Sequence, residues 1–141
     1  MKGSSAGLQR FVLAQDAVYP SVCDELAAGR KQSHWMWFVF PQLRGLARSE
    51  TARHFGIESR QEALAYWQHP LLARRLQECT ALVLATRQKT AHDIFGTPDD
   101  LKLHSCMTLF AAVAPDEPLF EQALTRFFGG QPDANTLALL A

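Results

Sequence analysis

His34, Trp37 and Gln42 lie in one uncharged stretch, residues 33–42 (SHWMWFVFPQ), and Lys102, Ser105 and Thr108 recur at every third position further along. An imidazole can take or give a proton, an indole can stack on a flat ring, and a primary amide donates and accepts at once. A lysine adds a cation, and hydroxyls add small donors. Brought together, His34, Trp37, Gln42, Lys102 and Ser105 would suit a planar, anionic small molecule, a nucleotide or a related base-containing compound. No glycine-rich phosphate loop accompanies them. The motive for joining the two segments is polar accounting. A buried imidazole or indole N–H needs a partner, and the aromatic stretch itself supplies only Ser33 and Gln42. The bland alternative is that Lys102 points to water, His34 bonds a backbone carbonyl, and Ser105 and Thr108 bond back to their own helix.

Other chemistries find less support. His34, His54, His69, His92 and His104 show no HxxxH or HExxH spacing, so no metal and no cofactor is expected. His69 and His104 are expected at the surface. Ser105 or Cys106 as nucleophile with His34 as base would need contact across two helices and a third, orienting group, which the sequence does not identify. The catalytic set is therefore left unassigned. Arg30, Lys31 and Arg44 flank the aromatics and could hold single-stranded nucleic acid, but 14 basic and 14 acidic side chains cancel, which counts against it.

The elements that must carry these residues all read as helical. In the aromatic stretch, Ser33 is placed to cap a helix that Pro41 ends, with Trp35 and Phe38 on one face. An element apolar on every side is normally buried on every side. A strand would also leave both faces of this stretch apolar. Upstream, residues 8–15 suit a short helix, and Pro20 suits the first turn of another that runs to Ala28 and stops at Gly29. Downstream, Ser49 caps a short helix, and Ser59 with Glu62 forms a capping box. Pro70 opens a long helix with Leu72, Leu76, Cys79 and Val83 inward, and Thr90 caps a single turn. Thr97-Pro98-Asp99-Asp100 opens a helix to about Val113, Pro118 opens one that Gly129-Gly130 stops, and Asp133 caps the last. Strand signals are weak throughout. The expectation is an all-α, single compact domain of several short helices around a central aromatic helix, spanning residues 8–141 after a flexible N-terminus at 1–7.

At 141 residues and 48% hydrophobic composition the chain can build a full core. Cys23, Cys79 and Cys106 are odd in number and widely spaced, and are expected as unpaired thiols. Residues 1–7 lack the apolar core of a signal peptide, and no apolar run reaches the ~18 residues that a membrane span needs. A soluble, cytoplasmic protein with no membrane partner is expected.

The segment 31–42 (KQSHWMWFVFPQ), taken with 95–100 (FGTPDD) and 105–110 (SCMTLF), resembles a domain-of-unknown-function family of small bacterial and fungal proteins, some of them labelled "calpastatin". The likeness runs from Leu8 to the end of the chain. It implies a compact all-helical domain with no established activity. Family members usually carry a second serine where Cys106 stands here, so a serine pair is not carried over. The calpastatin label fails on composition: a calpain-inhibitor repeat is a polar, disordered segment, and this chain is globular with three tryptophans. Two classes of function stand. One is a small-ligand-binding protein or enzyme using the region of His34, Trp37, Gln42, Lys102 and Ser105. The other is a non-catalytic protein-interaction domain in which the tryptophan stretch is only core.

Overall fold

A computed structural model describes the backbone of residues 2–141 and the side chains from Gly7 onward. The flexible segment expected at 1–7 falls mostly outside the side chains described. Among the described residues there are nine α-helices and one 3-10 turn: α1 (Lys2–Ala27), α2 (Met36–Val39), the 3-10 turn Arg44–Leu46, α3 (Glu50–His54), α4 (Arg60–Gln68), α5 (Pro70–Ala85), α6 (Ala91–Phe95), α7 (Asp99–Val113), α8 (Pro118–Phe128) and α9 (Ala134–Leu140). The only β-type pairing among them is an isolated parallel bridge between Leu43 and Ile57. The fold is all-α.

Two short helices expected at the N-terminus are one. Pro20 lies inside α1 rather than at a restart. The buried positions Leu8, Phe11, Gln15, Val22 and Leu26 keep one helical stripe in phase across it. Pro20 and Asp16 both face solvent, so water can serve the carbonyl that proline leaves without an intrahelical donor. Several start signals hold. Ser49 accepts from Ala52 N–H, Ser59 from Glu62 N–H and Asp133 from Thr136 N–H. Thr90 and Asp93 form a reciprocal capping box. Glu62 does not close the box expected with Ser59; its carboxylate accepts instead from Glu58 N–H, 2.8 Å away. Pro98, not Thr97, stands at the start of α7.

The core closes around α7, where every side chain from Ser105 to Phe110 is buried. The aromatic stretch meets that core differently from the expected capped helix. Only one turn, α2, is helical, and Trp35 stands at its N-terminal end without a side-chain cap. Ser33 serves another partner: the Glu25 carboxylate of α1. Glu25 accepts from Gln32 N–H at 2.8 Å, Ser33 N–H at 3.1 Å, the Ser33 hydroxyl at 2.5 Å and the Trp35 indole N–H at 2.8 Å. A run with only one turn of helix leaves its amides without intrahelical acceptors, and one ionised carboxylate satisfies them. The carbonyl of Phe38 is served by the buried amide of Gln15 at 2.7 Å, and the same amide reaches the Tyr66 hydroxyl at 3.1 Å. Trp35 then packs among Phe40 and Phe95, with ring centroids 6.3 and 6.5 Å away, and Phe38 packs on Phe55 at 5.1 Å.

Burial raises the Glu25 carboxyl, but the hydrogen bonds from Ser33, Gln32 and Trp35 outweigh it and hold the group at about 2, against an ordinary value of 4.5. The lowered value means that the unfolded chain binds this proton more tightly than the native one. The stability that Glu25 contributes is therefore present above about pH 4.5 and is lost as pH falls from there toward 2. In urea melts, Glu25→Gln should be less stable than wild type at pH 7, and the gap should narrow between pH 4.5 and 2. A gap that stays constant over that range would remove Glu25 from the acid response. Trp35, 1% exposed, should cost ~3–5 kcal/mol when replaced by alanine, the scale for deleting a buried large aromatic; a loss below ~1 kcal/mol would contradict its place in the core.

Candidate functional site

A cleft of about 560 Å³ opens between three short walls. The first is the segment after the aromatic stretch. Arg44 N–H donates to Ile57 O at 2.8 Å and Ile57 N–H to Gln42 O at 2.9 Å, locking residues 42–44 against 56–57. Gly56 permits this approach, since a Cβ there would lie 2.5 Å from the Arg44 Cα. The locked segment delivers Gln42 and Leu46 to the cleft, and the start of α3 adds Arg48, Ser49 and Ala52. The second wall is the first turns of α7 with Pro98: Leu101, Lys102, His104 and Ser105. The third is Asp133 and Asn135, where the chain enters α9.

Asp133 is the fixed point of the third wall. Its carboxylate accepts from Thr136 N–H at 3.0 Å, the Thr136 hydroxyl at 2.6 Å and the Ser105 hydroxyl at 3.3 Å. Its own N–H donates to the Thr108 hydroxyl oxygen at 2.8 Å. Ser105 and Thr108 also donate back to their own helix, to the carbonyls of Leu101 and His104 at 3.2 and 2.9 Å, as the bland alternative expects. The stripe Lys102-Ser105-Thr108 was expected to face the tryptophan helix; its hydroxyls instead fasten α7 to α9. His104, partly exposed on the cleft, stacks on Phe128 with ring centroids 4.1 Å apart and an interplanar angle of 8°. Its Nε2 lies 2.7 Å from Gln131 O, a contact in which that nitrogen carries the proton and donates.

Of the five residues proposed from the sequence, Gln42, Lys102 and Ser105 line this cleft, and Trp37 and His34 do not. Trp37 is half-buried and acts at one remove: the Lys102 Nζ lies 5.3 Å from its ring centroid and 3.7 Å from Asp99 Oδ1. The indole thus helps to position a cation rather than to stack on a ligand. His34 is exposed and makes no hydrogen bond among the described residues. Its expected need for a buried partner does not arise, and the indole of Trp35 finds Glu25 instead. Sequence reasoning missed Arg48, His104 and Asp133 as cleft residues. Asp133 carried one usable sign, its cap position. Arg48 carried none beyond its charge. It lines the cleft and forms no ion pair among the described residues.

The family model described as "Protein of unknown function (DUF1810)" matches residues 5–140. The chain belongs to this family. A crystal structure of the conserved hypothetical protein Rv1873 from Mycobacterium tuberculosis superposes on this DUF1810 chain with a TM-score of 0.93 and 55% sequence identity, covering 94% of this chain and 95% of that one. Comparison with curated proteins gives no match.

Within the DUF1810 fold, the nucleophiles weighed from the sequence are poorly placed for catalysis. Cys106 is fully buried, and burial pushes its thiol well above the ordinary range. The Ser105 hydroxyl is held by Asp133 and Leu101 with no histidine nitrogen bonded to it. No group of three or more His, Cys, Asp or Glu side chains gathers as a metal site among the described residues. No helix of the described residues is long and apolar enough to cross a membrane.

Proposed function

We propose that this DUF1810 protein binds a small anionic molecule with a flat part, of the nucleotide-like class, in the cleft between α7, the 42–49 segment and the start of α9. One observation carries the reading. Arg48 and Lys102 both reach a cleft whose single carboxylate, Asp133, is already occupied by Ser105 and Thr136. The cations supply attraction for an anion, and Leu46, Pro98 and Leu101 supply apolar wall. The volume of about 560 Å³ suits a small ligand. Gln42, Asn135 and His104 add the few directional contacts that fix an orientation. In this version of the site, His34 leaves the set, Trp37 serves Lys102, and Arg48 and His104 join.

A non-catalytic interaction domain is the second reading. It is favoured by Leu137 and Leu139 of α9, which are 43% and 51% exposed. The two readings separate in a thermal-shift experiment with nucleoside mono-, di- and triphosphates, the neutral nucleosides and inorganic phosphate. A ligand that binds only the native state adds about 2.7 kcal/mol at a hundredfold excess over its Kd, which raises the melting temperature by several degrees. Nucleotides should shift the melt and neutral nucleosides should not. Lys102→Ala and Arg48→Ala should each remove the shift and leave the unliganded melt within a degree or two. An unchanged melt with every anion, or a shift that survives both substitutions, would overturn the cleft as an anion site.

A further inference from the structure

The cleft does not end at Arg48. A second hollow of about 680 Å³ adjoins it, between the 3-10 turn and α9, and the two share Leu46, Arg48 and Asn135 as walls. The rest of its lining is small or apolar: Gly45, Ala47, Ala138 and Leu139. Asn135, Ala138 and Leu139 fall one turn apart on α9, so a single face of that helix forms the wall. Leu139, 51% exposed, is thus an apolar side chain that faces a hollow. Gly45 lies so close to α9 that a Cβ there would meet the Leu139 Cδ1 at 2.9 Å, and this contact closes the far end.

The two hollows differ in charge. The first carries Lys102 and Asp133; among the described residues no carboxylate lines the second. The charged side chain of the second is Arg48, which stands on the boundary, exposed and without an ion pair among the described residues. A guanidinium presents a planar fork of donors that matches a phosphate. A phosphate held there leaves one organic group to fill the first hollow and another to fill the second. Each hollow is of the size that takes a small-molecule group. Past Gly45 and Leu139, a third hollow of about 290 Å³ carries both Glu58 and Arg60, so the stretch free of carboxylates ends there.

We propose that the second hollow is a second subsite and that the ligand is a dinucleotide: two nucleosides joined through phosphates, with the phosphates at Arg48. The proposal rests on the reading of the cleft as an anion site and names the ligand class of that site. A second nucleoside tethered to the first binds without a second loss of translational freedom, so its contacts add directly to affinity. Its hollow offers an apolar wall and one amide, so the gain comes from Ala47, Ala138, Leu139 and Asn135 rather than from charge. Diadenosine diphosphate carries less negative charge than adenosine diphosphate, because its phosphates have no terminal ionisation. Tighter binding of the dinucleotide is therefore a signature of the second hollow.

The test is calorimetric titration of the full chain with adenosine diphosphate and with diadenosine diphosphate, which differ by the second adenosine. The dinucleotide should bind about tenfold tighter. Ala138→Tyr, at an exposed position that lines the second hollow and not the first, should erase that gain. Ala47→Tyr fills the same hollow from the opposite wall and should do likewise, which covers the case of one variant folding poorly. Leu137→Tyr, exposed on α9 and outside both hollows, should keep the gain. Arg48→Ala should weaken both ligands. Equal affinity for the two ligands, or a gain that survives both hollow-filling substitutions, would overturn the second subsite and leave the anion site standing. No binding of either ligand would overturn the anion site and the subsite with it. A short oligoadenylate that binds tighter than diadenosine diphosphate would make the groove a track for single-stranded nucleic acid and overturn the dinucleotide.

Discussion

One carboxylate holds the aromatic stretch in place. Without an ionised acceptor, residues 32–35 would present two backbone N–H groups, a hydroxyl and an indole N–H with nothing from their own segment to receive them. Glu25 receives all four from the last turns of α1. Its position there, on the longest helix of the fold, makes it a rigid anchor. Hydrogen bonds to an ionised acceptor are stronger than neutral ones, and leaving the part-buried Trp35 indole N–H unmet would cost more than the bond itself contributes. The same logic extends through the molecule. No buried side-chain nitrogen or oxygen among the described residues lacks a partner.

From that anchor the polar contacts run outward to the cleft. Lys31 sits 5.1 Å from the Trp35 ring centroid and pairs with Asp99 at 2.9 Å, at the first turn of α7. Asp99 also meets Lys102, which lies over Trp37. The two lysines thus share one aspartate, and each covers one indole. The aromatic stretch and the cleft wall are joined by charge as well as by packing. This joins the two functional readings of the stretch: Trp35 is core, and Trp37 supports a cation that the cleft presents.

The sequence made the helical fold legible because its signals are local. Ser49, Ser59, Thr90 and Asp133 cap as their types demand, and Pro70 and Pro118 open helices where a first-turn proline can. Pro20 misled, because the punctuation rule ignores exposure; the stripe from Phe11 through Gln15 and Val22 to Leu26 was the better signal. Ser33 misled because a serine before an apolar run looks like a cap, and nothing local shows a carboxylate eight residues upstream competing for its hydroxyl. The cleft was half legible. Gln42, Lys102 and Ser105 meet there. His34 was included on the premise that the whole stretch is buried, and a single helical turn buries fewer of its side chains than a full helix would. Arg48, His104 and Asp133 come together only through tertiary contacts, which no spacing in the chain encodes.

The central claim is that Glu25 fixes the aromatic stretch through the Trp35 indole, and the three indole N–H signals in a ¹H–¹⁵N spectrum report on it directly. In wild type, the Trp35 signal should exchange with deuterated solvent more slowly than those of Trp37 and Trp67, which are half-buried. In Glu25→Gln it should shift and exchange faster, with the Trp67 signal unchanged. Equal exchange of all three indoles in wild type, or a Trp35 signal indifferent to the substitution, would contradict the account.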